Sequence, residues 1–396
     1  MRFGSALVAL ALTGASCGMF RFDVDAADAA PRAALEGGHW VYIGTYSGAK
    51  SRGIYRSRFD PGTGRLDAPE LAAEAQNPSF LAVHPQGPTL YAAERPLLYA
   101  VNELGTGSVS AYAVDRATGS LRLLNRQSSR GAGPCHLSVD RAGRHVLVAN
   151  YGGGSVAVLP IEADGRLGEA KAFIQHTGSS VKPQRQQGPH AHWISTDPSN
   201  RFVLVCDLGL DKVLLYRFDA DNGTLQPHDP AYAPLTPGSG PRHLAFHPNG
   251  RWAYVINELS NTITAFRWDG GRGALDPIQT AASLPPDFAG RNTTAEIAIH
   301  PSGRFLYGSN RGHDSLVVLG VAGETGALIL VQHQPAGGRT PRHFAIDPTG
   351  RWLVVAHQDS DTVTVMRIDA GTGRLTPTGQ RIEVGRPVCL EFVPVR

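Results

Sequence analysis

Apolar residues in this chain fall in short runs broken by Gly, Pro, Asn and Asp. Leu244 and Phe246, then Trp252, Tyr254 and Ile256, recur at every second position, the period of a β-strand. Gly-Arg and Thr-Gly pairs separate the runs and mark turns. One phrase returns along the chain. It starts at a Pro-x-His-like step and runs through alternating apolar residues to a Pro-x-Gly-Arg turn. It climbs again to an Asn, passes a Ser/Thr-x-Val/Ile run, and ends at Asp with a Thr-Gly-x-Leu turn. The clearest copy is Pro241-Arg242-His243-Leu244-Ala245-Phe246-His247-Pro248-Asn249-Gly250-Arg251, followed by Trp252 to Asn257 and Thr262 to Asp269. Another runs from Pro341-Arg342-His343 through Pro348-Thr349-Gly350-Arg351 to Thr372-Gly373-Arg374-Leu375. Related copies begin at Pro78, Pro134, Pro189 and Thr294. A spacing of roughly 46 to 56 residues with four strands per copy is that of a β-propeller blade. Trp268-Asp269 is a literal W-D pair, but the other copies lack it, so it is no WD40 signature.

The two ends complete one another. Gly385-Arg386-Pro387-Val388-Cys389-Leu390-Glu391-Phe392 begins a further copy and stops. Its missing strands stand at the other end, in Trp40 to Thr45, Ile54 to Asp60 and Thr63-Gly64-Arg65-Leu66. The expected fold is therefore all-β: a seven-bladed propeller closed by N- and C-terminal strands in one blade, which leaves no exposed sheet edge at the seam. Residues 31–396 form this one domain, and 1–30 a signal and processing segment.

That assignment of 1–30 rests on Arg2, the apolar run from Phe3 to Phe20 and the Ala27-Asp28-Ala29 cleavage pattern. It predicts a periplasmic or secreted protein with no membrane attachment after processing; anchoring as a lipoprotein at Cys17 is the lesser option. Charge adds little. The chain has 396 residues and a formal net charge of +3, with Lys and Arg scattered rather than clustered, so no nucleic-acid partner is expected. Cys135, Cys206 and Cys389 match no metal spacing and read as buried apolar fillers.

In a propeller the repeat start leads into the innermost strand, which lines the central channel. The aligned first slot reads Ser79, Cys135, His190, Arg242, Ala295, Arg342 and Val388. The next reads Phe80, His136, Ala191, His243, Glu296, His343 and Cys389, whose recurring histidines suggest a shared structural hydrogen bond. His190 and His192 share one strand face and suit a general base or polar clamp, a metal site completed by Asp207, or two satisfied half-buried imidazoles. At the end of the second strand stand Asn150, Asp207, Asn257-Glu258, Asn310-Arg311 and His357-Gln358. Glu258 and Arg311 are unusual there, either as site residues or as an ion pair between blades.

Taken together, Gly240 to Pro248, Tyr254 to Leu259, Arg185-Gln186, Pro189-His190-Ala191-His192, Asp207-Leu208-Gly209 and Ser309 to Ser315 resemble the lactonase family of seven-bladed propellers over about residues 38 to 396. That family includes propeller-type 6-phosphogluconolactonases and fungal carboxymuconate cyclases. The resemblance implies a catalytic set at His190, Arg242, Glu258 and Arg311. Arg185, Gln186, His192, Asp207 and Arg342 are the expected substrate-binding residues. It further implies a small anionic or sugar-like lactone as substrate. No complete ligand set surrounds His190 and His192, so no metal or organic cofactor is expected, and the chain is expected to be a monomer. His190 and Glu258 remain alternative bases. A muconate-type cyclase and a non-catalytic periplasmic binding propeller are the competing readings; a quinone-dependent dehydrogenase is a weaker one. Whether the four catalytic candidates converge on one channel mouth decides against a scaffold.

Overall fold

The computed structural model describes Met1 and residues 38–85 and 96–395. The expected signal segment, with Cys17 and Ala27-Asp28-Ala29, lies outside the described residues. Seven antiparallel sheets follow one another around an axis. Blade 1 is the composite one. Its innermost strand is Pro387–Pro394, paired with His39–Thr45 in the register Val41 to Phe392 and Ile43 to Leu390, and Gly53–Asp60 lies outside that. The other six run in chain order from inside to outside. Their innermost strands are Leu81–Val83, Pro134–Val139, Ala191–Thr196, Pro241–Phe246, Thr293–Ile299 and Pro341–Ile346, which we assign to blades 2 to 7. Each innermost strand touches its neighbours on either side around the channel.

The second strand of each blade explains the strongest apolar runs. Trp252 to Asn257 is buried along its whole length, not on one face. Trp252, Tyr254 and Ile256 pack with blade 6, whereas Ala253 and Val255 pack with blade 4. A strand sandwiched between two neighbouring sheets must be apolar on both faces, while its period of two still decides which neighbour each residue meets. Seven such apolar clusters fill the seven seams between blades.

Polar locks accompany the packing. Tyr42, Tyr99, Tyr254 and Tyr307 donate their hydroxyls to the carbonyls of Gly119, Gly165, Gly326 and Gly373, each in the outer turn of the next blade. His84, His247 and His300 place Nε2 on the carbonyls of Gly143, Gly303 and Gly350 across the same seams; a carbonyl only accepts, so Nε2 carries the proton. Gly373 has φ 72° and lies so close to Phe305 that a Cβ would sit 2.4 Å from its ring. That turn therefore accepts only glycine. The repeated Thr-Gly-x-Leu phrase is thus a blade-to-blade contact as much as a turn.

Candidate functional site

Two positions per blade build one mouth of the channel. The first is a bulge at the start of the innermost strand, where two residues oppose one on the second strand. In blade 5 Pro241 pairs with Asn257 and His243 with Ile256, so Arg242 bulges out of the ladder. The same irregularity releases Arg342 in blade 7, Cys135 in blade 3 and Val388 in blade 1. In blade 4 it corrects the sequence alignment. Ala191 pairs with Asp207 and Trp193 with Cys206, so His192, not His190, stands in the slot of Arg242, and Trp193, not Ala191, in that of His243. The repeated His in Pro189-His190-Ala191-His192 fits the repeat phrase two ways, and only strand pairing chooses between them.

The second position is the residue at or just past the end of the second strand. Around the ring it reads Tyr46, Glu103, Tyr151, Leu208, Glu258, Arg311 and Gln358. Together the two positions, with Arg185 from the loop before blade 4, enclose a cavity of about 330 Å³ lined by Glu103, Cys135, Tyr151, Arg185, His192, Glu258, Thr293, Arg311 and Arg342. Below it the channel narrows to a throat that Arg242 lines with Ser79, Glu103, Cys135 and Arg342.

Glu258 is the electrostatic centre. Its Oε1 lies 2.6 Å from Arg185 Nη2, and its Oε2 lies 2.9 Å from Arg311 Nη2 and 3.1 Å from Arg242 Nε. Burial pushes its carboxyl up, but Arg311, Arg242 and Arg185 outweigh burial and hold it down at about 2. Arg242, 3% exposed, also donates Nη1 to the Ala295 carbonyl, and Arg311 donates Nη2 to that of Thr294. Glu258 thus both pairs with Arg311 across a blade seam and lines the cavity.

The opposite wall joins Arg342, expected from sequence, to Tyr46 and Glu103, which were not singled out. Arg342 donates Nη2 to Tyr46 Oη at 2.9 Å, Tyr46 Oη donates to Glu103 Oε2 at 2.9 Å, and Ser79 donates to the same oxygen. Asn102-Glu103 repeats the Asn257-Glu258 pair at the matching strand end, a signal that was present. Tyr46 had none beyond its place after the first blade's second strand. Four arginines (185, 242, 311, 342) against two glutamates (103, 258) give this mouth a formal charge of +2.

His192 brings an imidazole to the cavity wall. Burial, reinforced by Arg242, His243 and Arg342, holds it well below its ordinary value, so it is neutral at physiological pH. His190 does not line the cavity. It stacks on Tyr151, ring centroids 4.5 Å apart, and donates Nδ1–H to the Tyr151 carbonyl at 3.0 Å. Asp207 is fully buried. Its oxygens take His176 Nδ1 and the backbone N–H groups of His190 and Gly209, so it fixes the His190 backbone rather than facing a ligand. Gln186 is equally buried and ties its loop to Leu208 and Asp211. Of the nine expected site residues, Arg185, His192, Glu258, Arg311 and Arg342 share the cavity and Arg242 its throat; His190, Gln186 and Asp207 support it from behind.

The three recurring histidines form a plug deeper in the channel. His136 Nδ1 accepts from Ile194 N, and His343 Nδ1 from Leu390 N, each on the next blade. His243 Nδ1 meets Glu296 of blade 6. His136 and His343 thus make one and the same bond, while at His243 the Glu296 carboxylate takes the place of the backbone N–H. Cys135, Cys206 and Cys389 are free thiols and buried.

Comparison with known proteins agrees with this architecture. The model of the family described as lactonase, 7-bladed beta-propeller, matches residues 40–392. A 6-phosphogluconolactonase of Bacillus subtilis is 37% identical over 352 residues, 89% of this chain and 97% of that protein. The crystal structure of a putative 6-phosphogluconolactonase from Bacteroides fragilis superposes with a TM-score of 0.82 at 36% identity, covering 92% of this chain and all of that one. The structure of a periplasmic gluconolactonase of Pseudomonas aeruginosa gives a TM-score of 0.84 at 36% identity, with coverage of 91% and 100%. Its repeats, its closure and these matches place the chain in the lactonase family of seven-bladed β-propellers.

Proposed function

We propose that this propeller hydrolyses a sugar-type lactone in the arginine-lined mouth. The observation that carries the reading is the fan of Arg185, Arg242 and Arg311 held on Glu258, opposite Arg342, around a cavity large enough for one small ring. Lactone hydrolysis needs donors where the carbonyl oxygen turns negative, and a group to take a proton from water. Arg311 and Arg342 supply the donors from two walls. His192, neutral and on the wall, accepts the water proton. The resulting hydroxide adds to the carbonyl, the ring C–O bond breaks, and the proton passes to the departing ring oxygen, giving the open hydroxy acid. Glu258, ionised and held near 2, is engaged by three guanidiniums and keeps them close together.

The net positive mouth suits a substrate that is anionic or becomes so in the transition state. With the N-terminal segment read as an export signal, an unphosphorylated sugar lactone met outside the cytoplasm is the preferred substrate. Convergence of the arginines and Glu258 in one cavity favours an enzyme over a binding scaffold. The test is a lactone panel assayed with the purified mature protein and Arg311→Ala. We expect hydrolysis of at least one sugar lactone, and a fall of about 10²–10³ in kcat/KM in the variant, the range for loss of one oxyanion donor. No hydrolysis of any lactone, or full activity in the variant, rejects the reading.

A further inference from the structure

The channel has a second mouth, and it differs in chemistry from the first. On the far side of the histidine plug lies a cavity of about 290 Å³. Nine of its fifteen wall residues are apolar: Phe80 to Val83, Leu137, Val139, Trp193, Leu244 and Ile297. Among them sit Ser138, Ser195, His136, His243 and two carboxyl groups, Glu296 and Glu391. A concavity that mixes apolar side chains with convergent polar groups can hold a small molecule, and this volume is at the small end of the usual range. No Lys or Arg lines it.

We propose that this mouth is a second ligand site for a small organic cation, recognised by Glu391 and Glu296 and by the faces of Phe80 and Trp193. Charge complementarity commits the site to that class. Glu391 is partly buried and makes no hydrogen bond or ion pair among the described residues. Glu296 is 7% exposed; its Oε1 accepts from Ile297 N at 3.0 Å, and its Oε2 lies 3.1 Å from His243 Nδ1 and 3.4 Å from His343 Nε2. Those imidazoles add no positive charge: burial holds His136, His243 and His343 below their ordinary value, His343 at about 4. Glu296 shares the throat with Arg242 and Arg342, whose guanidiniums draw its carboxyl down against burial, whereas Glu391 has no cation beside it. Burial and then Glu296 push the Glu391 carboxyl up to about 8. A ligand ammonium supplies the missing charge, and aromatic faces favour a cation over a neutral body of equal shape. A metal ion fits less well, since no three His, Cys, Asp or Glu side chains converge as ligands among the described residues.

The site works as a pH-gated one. Below about pH 8 Glu391 holds its proton; above it the carboxylate is present and draws the cation in. Binding at neutral pH then releases a proton.

Isothermal titration of the mature protein with choline, and with its neutral isostere 3,3-dimethylbutan-1-ol, tests this. We expect choline to bind about tenfold more tightly than the alcohol at pH 9, and its affinity to fall about tenfold between pH 9 and pH 6.5. Glu391→Gln should abolish that pH dependence and leave lactone hydrolysis unchanged. Equal binding of the two probes, no binding of choline at about 10 mM, or unaltered binding to Glu391→Gln overturns the proposal. So does inhibition of lactone hydrolysis by choline in competition with substrate, which would put the cation in the other mouth. The two-probe comparison needs no variant, so it stands even if Glu391→Gln folds poorly.

Discussion

Glu258 keeps a negative charge that burial alone would remove. Its carboxyl lies at about 2 in the folded chain against an ordinary 4.5, because three guanidiniums surround it. The sign follows from linkage: a depressed carboxyl stabilises the fold above its unfolded value, and that contribution is lost as pH falls from about 4.5 towards 2. The difference corresponds to about 3 kcal/mol at neutral pH. Glu258→Gln leaves Arg242 and Arg311 buried without their counter-charge, so we expect it to lower unfolding free energy at pH 7 by about 3–5 kcal/mol. The gap from wild type should narrow below pH 4.5, as urea melts across pH would record; a gap independent of pH refutes the assignment. The two histidines part company at the same scale. His192→Ala should cut kcat about a hundredfold or more with little change in melting temperature, as loss of a general base does. His190→Ala removes a ring stacked behind Tyr151 and should cost less than about tenfold. Steady-state kinetics of the pair decides, and the reverse order would return proton transfer to His190.

At the scale of the element, four of the seven seams are held by the tyrosine hydroxyl of a second strand and the glycine of the following outer turn. Tyr307→Phe deletes one buried hydrogen bond and should cost about 1 kcal/mol. Gly373→Ala meets both a positive φ and the Phe305 ring, and should cost more, about 2–3 kcal/mol. Chemical denaturation of both variants checks the ranking; an alanine milder than the phenylalanine contradicts it. The same elements show what was legible in the sequence. Blade number, strand order and the composite blade followed from the Pro-x-Gly-Arg and Thr-Gly-x-Leu turns, since turn chemistry is local. Glu258, Arg311, Arg242 and Arg342 followed from charge at slots otherwise uncharged. The bulge was not legible, because an extra residue in a ladder depends on its partner strand; that moved the channel slot from His190 to His192. Asp207 and Gln186 carry the same polar signature as ligand residues, and only their full burial shows that they bind backbone and neighbouring side chains. Glu103 was hidden by the long segment before Leu97, which breaks the repeat phrase in blade 2 and obscures its likeness to Glu258.

Over the whole molecule the ring depends on one seam made from both ends of the chain. Pro387–Pro394 is the innermost strand of blade 1, and Val41, Ile43, Phe59 and Leu390 fill the apolar cluster shared with Val354, Ala356, Val363 and Val365 of blade 7. A chain stopped after Val384 loses that strand, opens two seams, and exposes the edge of His39–Thr45 to pairing with other chains. We expect it to aggregate rather than fold as an active monomer. The loss should come from the missing strand and not from where the chain happens to end, which a circular permutant can separate. Val395 N donates to the Gly38 carbonyl at 2.8 Å, so a short linker joins these points without strain. New ends placed between Gly323 and Glu324 fall in an exposed outer turn, far from the channel strands. In the permutant the same seam is closed by a hairpin instead of by two termini. It should keep lactone hydrolysis within about threefold and melt within a few degrees of the parent, about 1 kcal/mol of loop-closure difference at most. If the permutant is as damaged as the truncation, closure by the terminal strand is not what holds the ring. If both fold, six blades suffice. Circular dichroism melts and size-exclusion chromatography of the two chains beside the parent separate these outcomes.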